Sequence, residues 1–262
     1  MTMTGGGVFR VTESDSMWVV LRSQQIYRHT SCDLSKQRPL ARRVPGVSGM
    51  MRYFITGTDT DAGKTYVTCL LLRAMQAAGR TAVGFKPVCC GSRQDVADLM
   101  QAGAFGPEAD EVNPVFYKMP AAPLAAGMLE NRPFSMEPVL AAWQRLAAQY
   151  EDILVEGAGG WEVPLTPDIT VADMAVALGL PVIVVVNNRL GALNHTILTV
   201  RSIRQRGLKC AGIILNYVAD SRDMASISNA AVLRQVFPDV PVLAEIMHGE
   251  TELRLEDVNL HD

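Results

Sequence analysis

The sequence predicts an α/β protein built on one doubly wound parallel sheet. Three observations carry this reading. From residue 51 onward, short branched-aliphatic runs alternate with longer helix-like segments. The run Pro181–Val186 is almost wholly branched aliphatic, as a strand buried on both faces of a parallel sheet requires. Between a β-prone run (Tyr53, Phe54, Ile55) and a helix-like run (Tyr66 to Ala78) lies Gly57-Thr58-Asp59-Thr60-Asp61-Ala62-Gly63-Lys64-Thr65. Strand, glycine-containing loop and helix form the setting of a phosphate-binding loop.

The elements follow in order. Thr81–Phe85 reads as a second strand after the Gly79-Arg80 turn, and Asp95–Gln101 as a short helix. Residues 103–133 are rich in Ala, Gly and Pro and read as a long irregular connection. Met136–Tyr150 is helical, with Pro138 near its first turn, where proline is tolerated. Asp152–Glu156 is a third strand that ends in Gly157-Ala158-Gly159-Gly160. Thr170 and Asp173 have capping-box spacing ahead of a helix through Leu178. After the strand Pro181–Val186 come a helix from about Asn194 to Arg206, a strand Cys210–Leu215, a helix Met224–Phe237 and a strand Val242–Ile246.

Composition bounds the function. The chain has 262 residues, 48% hydrophobic, with a formal net charge of −3. Residues 1–50 hold seven of the 24 Lys/Arg and three of the 27 Asp/Glu, so residues 51–262 keep 17 basic against 24 acidic groups. An acidic main domain argues against nucleic acid as a partner. No apolar run reaches the roughly 18–20 residues of a membrane span. Five scattered cysteines without CxxC spacing favour reduced thiols and a cytoplasmic protein. The paired Cys89-Cys90 admits a redox reading, with small buried thiols as the plainer one. In residues 1–50 the apolar cluster Met17 to Leu21 is too short for a signal-peptide core, and Glu13, Asp15 and Asp33 argue against a transit peptide. The segment is expected to be an extension without a fold, leaving residues 51–262 as the single domain.

In open α/β sheets ligands sit beyond the carboxyl ends of the strands. Gly63 permits close backbone approach to an anion, Lys64 supplies a cation for the outer phosphates, and Thr65 offers a hydroxyl to Mg²⁺. Five residues separate Gly57 from Gly63, one more than the strict Walker A pattern. Lys86 directly follows the second strand and is either a ligand for negative charge or a solvated lysine. Glu156 ends the third strand, opposite Thr65, where a carboxylate can hold the metal, and the small residues after it leave room for a phosphate or substrate. Asp61 and Asp95 are further acids around the metal, although Asp95 equally suits a helix N-terminus. Asn216 ends the strand Cys210–Leu215, where its amide can meet a base edge. Asn194 could meet an anion or serve only as an N-cap. His195 and His248 have no partner spacing and receive no role.

Together, Gly57 to Thr65, Gly84-Phe85-Lys86-Pro87-Val88, Val155-Glu156-Gly157-Ala158-Gly159-Gly160-Trp161 and Leu190-Gly191-Ala192-Leu193-Asn194-His195 resemble the dethiobiotin synthetase family over about residues 51–250. The resemblance implies a P-loop nucleoside triphosphatase-like fold and ATP- and Mg²⁺-dependent conversion of 7,8-diaminononanoate and CO2 to dethiobiotin. That chemistry proceeds through a carbamate and its phosphorylated anhydride. By resemblance Lys64, Lys86 and Thr60 act on the reacting anions. Asp61, Ala62, Gly63, Lys64, Thr65, Tyr66, Gly157, Ala158, Gly159, Asn216 and Tyr217 surround the nucleotide, and Thr65, Asp95 and Glu156 position Mg²⁺. Cys90 and Asn194 fall at substrate positions, Asn194 serving the partner subunit of a homodimer. Three departures stand out: Cys90 where some members have serine, Tyr217 where an acid often stands (which loosens base preference), and Asp61 where glutamate is common. The rival is a P-loop ATPase of the partitioning or positioning class, which would carry a second lysine where Asp59 stands. Asn187-Asn188-Arg189-Leu190 is not the guanine reader of a GTPase, and no room remains for the glutamine-hydrolysing domain of a corrinoid amide-forming ATPase.

Overall fold

The computed structural model describes residues 49–258 and 260. The expectation for residues 1–50 lies, apart from Gly49 and Met50, outside the described residues. Strand β1 (Arg52–Gly57) runs into helix α1 (Lys64–Ala77), followed by β2 (Ala82–Phe85), β3 (Val88–Cys90) and α2 (Gln94–Ala102). Next come α3 (Ala109–Val112), β4 (Val115–Tyr117), α4 (Pro123–Leu129), α5 (Glu137–Gln149) and β5 (Asp152–Gly160). The chain then alternates α6 (Val171–Leu178), β6 (Val182–Asn187), α7 (Ala192–Gln205), β7 (Cys210–Asn216), α8 (Met224–Val236) and β8 (Val242–Ile246).

Six strands form one parallel sheet in the order β2-β5-β1-β6-β7-β8. Successive side chains of a strand point to opposite faces, and the sheet therefore serves two cores. Phe54, Val155 and Val184 pack with α5, α6, α7 and α8, whereas Ile55, Leu154 and Val185 pack with α1 and α2. Strand order reverses at β1, whose neighbours are β5 and β6. The crevice at such a switch point is where open α/β sheets bind ligands.

Three expectations are corrected. Residues 103–133 are not irregular: they hold α3, β4 and α4, and β4 pairs in parallel with β3 as a separate two-stranded sheet. Strand β5 does not stop at Glu156. It continues to Gly160, which pairs with Gly57, and a Cβ at Gly157 would meet Val171 and Phe54 at 3.1 and 3.2 Å. The glycine keeps a strand backbone while leaving room for the core aromatic. Finally, α7 begins two residues early, with Gly191 in the left-handed region as its N-cap, so Asn194 lies inside the first turn and caps nothing.

Candidate active site

The loop after β1 is set by two backbone demands. Gly63 has φ 85°, and a Cβ there would lie 2.1 Å from Asn216 Nδ2. Only glycine meets both conditions. Asp61, at φ 58°, is one of two described non-glycine residues in the left-handed region, which aspartate tolerates better than most. Asn216, buried at the end of β7, donates from Nδ2 to Ala62 O at 3.0 Å and so fastens the loop to the sheet.

Lys64 opens α1, is buried, and donates from Nζ to Asp59 O at 3.2 Å. Burial pushes its pKa below the usual lysine value and the charge of Lys86 adds to this, against Glu156, Asp95 and Asp61. Thr65 donates to Glu156 Oε1 at 2.7 Å. Lys86, also buried, reaches the same Oε1 at 2.6 Å, Asp95 Oδ2 at 2.9 Å and Gly157 O at 3.4 Å. Burial opposes its charge, but Glu156 and Asp95 outweigh that penalty and raise its pKa. The solvated-lysine reading of Lys86 is thereby excluded. Glu156 is fully buried and its Oε2 has no hydrogen-bond partner, an orphan acceptor that demands a ligand or a reason.

A cavity of about 460 Å³ opens beside this cluster, lined among others by Thr60, Lys86, Cys90, Asp95, Ala158 and Gly159. Strand β3 delivers Cys90 to it half-buried, with a thiol pushed up to about 11, chiefly by burial. Sequence reasoning missed that Cys89 and the segment Pro120–Pro123 close the same cavity. Two signals pointed there: the β-prone trio Val115-Phe116-Tyr117 and Pro123 in the first turn of α4. A second cavity, about 640 Å³, is lined by residues including Thr58, Asp59, Trp161, His195 and Ser202. His195, given no role above, thus faces a cavity, whereas exposed Asn194 lines neither.

The remaining predicted residues sit apart from Lys86. Tyr66 is exposed and its hydroxyl donates to Glu250 O. Tyr217 is buried, its hydroxyl hydrogen-bonded to Ser226 O at 3.1 Å and Glu245 Oε2 at 3.2 Å, with Arg222 over its ring. Among the described residues no helix is long and apolar enough to cross a membrane, and no group of three or more His, Cys, Asp or Glu converges as a metal site.

A glycine loop at the sheet's switch point, a lysine and threonine at the head of the following helix, and an acid on the adjacent strand define a P-loop nucleotide-binding protein. A family model described as an AAA domain matches residues 51–250. The ATP-dependent dethiobiotin synthetase BioD of Akkermansia muciniphila is 44% identical over 207 residues, 79% of this chain and 97% of that one. The enzyme of the same name from Anaeromyxobacter sp. (strain Fw109-5) is 45% identical over 204 residues, 76% and 91% of the two chains. Among solved structures, a ParA family ATPase from Chlorobium tepidum TLS aligns with a TM-score of 0.49 at 15% identity, over 77% of this chain and 86% of that one. The chain belongs to the dethiobiotin synthetase family. Its sequence identity to those enzymes decides against the partitioning-ATPase rival.

Proposed function

We propose that this chain converts 7,8-diaminononanoate, CO2 and ATP into dethiobiotin at the cavity beside Lys86. The observation that carries the reading is the convergence of two buried lysines, Lys64 and Lys86, on one P-loop site. The reaction brings two anions together, the carbamate formed on one amine and the γ-phosphate of ATP. Such an encounter depends on positive charge fixed in advance, out of water. Lys64 and the loop amides receive the phosphates, and Lys86 stands between them and the cavity. The carbamate oxygen attacks phosphorus, ADP leaves, and the second amine then attacks the carbonyl carbon to close the ring and expel phosphate. No side chain forms a covalent bond at any step; positioning and charge neutralisation suffice.

The residues present fit Mg²⁺. Thr65, Glu156 and Asp95 offer hard oxygen donors, and the unpartnered Glu156 Oε2 supplies a vacant acceptor among them. So few protein ligands are usual for this ion, which fills its shell with water and substrate phosphates. When bound it would neutralise charge on the transferring phosphoryl group. Thr60, at the cavity wall, meets the carbamate, while Val88, Ala158 and Pro120 offer apolar surface to the carbon chain. Asp61, Ala62, Gly63, Tyr66, Gly157 and Gly159 border the nucleotide.

Two features temper the base site. The Asn216 amide nitrogen is committed to Ala62, and the Tyr217 hydroxyl faces α8 and β8 rather than the loop. We infer relaxed base preference from this. We infer too that the functional unit is a homodimer in which exposed Asn194 serves the neighbouring subunit's substrate, and that the enzyme is cytoplasmic, in keeping with free Cys69, Cys89, Cys90 and Cys210. Fixation of labelled bicarbonate into acid-stable product, dependent on both ATP and the diamine, tests the activity. Light scattering of the purified protein tests the dimer, and a monomer that remains fully active would exclude it.

A further inference from the structure

Lys86 sits where β2 ends and β3 begins, and something must fix its backbone if its ammonium is to stand between two carboxylates. The segment after α3 runs alongside it. Lys86 N donates to Val112 O at 2.9 Å, and Val115 N donates to Pro87 O at 3.1 Å. Along the ladder that this second bond opens, Pro87 and Gly91 bond to the neighbouring strand, so the carbonyl of Lys86 falls out of step with that strand's main-chain donors. The side chain of Asn113 fills the gap: its Nδ2 donates to Lys86 O at 2.8 Å and to Val115 O at 3.1 Å.

Asn113 is fully buried, and its Oδ1 has no hydrogen-bond partner. A buried amide with an idle oxygen is destabilising relative to a satisfied group. An apolar residue would avoid that cost but could not reach the Lys86 carbonyl with a donor. We propose that Asn113 is a positioning residue: it gives the Lys86 carbonyl the donor that the neighbouring main chain does not, and holds the main chain of Lys86 so that the ammonium meets Glu156, Asp95 and the cavity. The inference rests on the assignment of Lys86 to the reacting anions. It reaches a residue that touches none of the cavity's contents and that no sequence motif singled out.

A double-mutant cycle tests it, because coupling between two sites appears as a failure of additivity. Turnover and the KM for ATP are measured for Asn113→Leu, Lys86→Ala and the double variant, well below each melting temperature. Asn113→Leu is expected to lower kcat by about tenfold or more, the scale on which small misplacements of a catalytic group act, with the KM for ATP within about twofold. In the Lys86→Ala background the same change is expected to cost nothing further. An equal fold-loss in both backgrounds, or no loss in either, overturns the proposal. Normal kcat in Lys86→Ala alone instead removes the assignment on which it rests. If Asn113→Leu does not fold, Asn113→Asp, which keeps the shape and loses the amide donor, enters the same cycle with the same expectations.

Discussion

Lys86 Nζ lies 2.6 Å from Glu156 Oε1, and that same oxygen accepts the hydroxyl of Thr65 at 2.7 Å. One buried carboxylate thus links the middle of β5, the head of α1 and the lysine after β2. Breaking a buried pair from one side leaves an uncompensated charge, at a cost of about 3–5 kcal/mol. Here Asp95 keeps a second hold on Lys86. Replacing either Lys86 or Lys64 with alanine is expected to lower kcat by about a hundredfold or more, the scale of a lost electrostatic contact to developing charge. Circular dichroism should first show the variants folded; near-normal turnover in either one would remove it from the chemistry.

Gly63 and Gly179 separate a binding requirement from a backbone one. Both have positive φ, yet a Cβ at Gly63 would lie 2.1 Å from Asn216 Nδ2, whereas one at Gly179 would have no atom within 4 Å. Gly179→Ala is expected to lower stability by about 1 kcal/mol and leave nucleotide affinity alone. Gly63→Ala should displace Asn216, disrupt the loop and weaken ADP binding about tenfold or more by calorimetry. Similar ADP affinities in the two variants would contradict the assignment of Gly63.

At the opposite end of the sheet, Arg80 grips Asp152 through two hydrogen bonds of 2.7 and 2.6 Å, and Met51 N donates to the same carboxylate at 2.8 Å. Asp152 is buried. Asp152→Ala is expected to cost about 3–5 kcal/mol of stability while leaving kcat unchanged in folded enzyme. Denaturant unfolding and turnover at low temperature check the two halves separately. A fall in kcat without loss of stability would mean that this pair reaches the site.

The Cys90 thiol, pushed up to about 11 by burial, then by Cys89 and Glu130 against the opposing Lys86, stays neutral at physiological pH. Because the thiolate is the nucleophile, its fraction at pH 8 is about one in a thousand. Alkylation of Cys90 by iodoacetamide, followed by peptide mass spectrometry, is expected to accelerate about tenfold per pH unit up to roughly pH 11. A plateau near pH 9, as for an ordinary thiol of pKa about 8.5, would contradict this environment.

Much of this was legible because the same pattern recurs. The apolar, β-prone run at β1, the aliphatic runs at β6 and β7 and the Thr170/Asp173 capping box each became the element they suggested. The P-loop residues and Lys86 stand at or just beyond a strand's carboxyl end, a position periodicity locates well, and they meet Glu156 from within β5 and Asp95 from the first turn of α2. What escaped was structure without a strong local signal. Strands β3 and β4 have three residues each and depend on pairing with one another. Gly157–Gly160 lacks β-propensity, and only the packing of Phe54 and Val171 shows why glycine belongs in that strand. Asn113 gave no signal at all, since its task depends on a neighbour 27 residues earlier.

The most direct test is fixation of labelled bicarbonate by the purified protein, with Mg²⁺, ATP and 7,8-diaminononanoate present or omitted singly. Acid-stable label that appears only when ATP and the diamine are both supplied, and that falls about a hundredfold in Lys86→Ala, is the predicted result. ATP hydrolysis without fixation would contradict the account, as would fixation that survives the loss of Lys86.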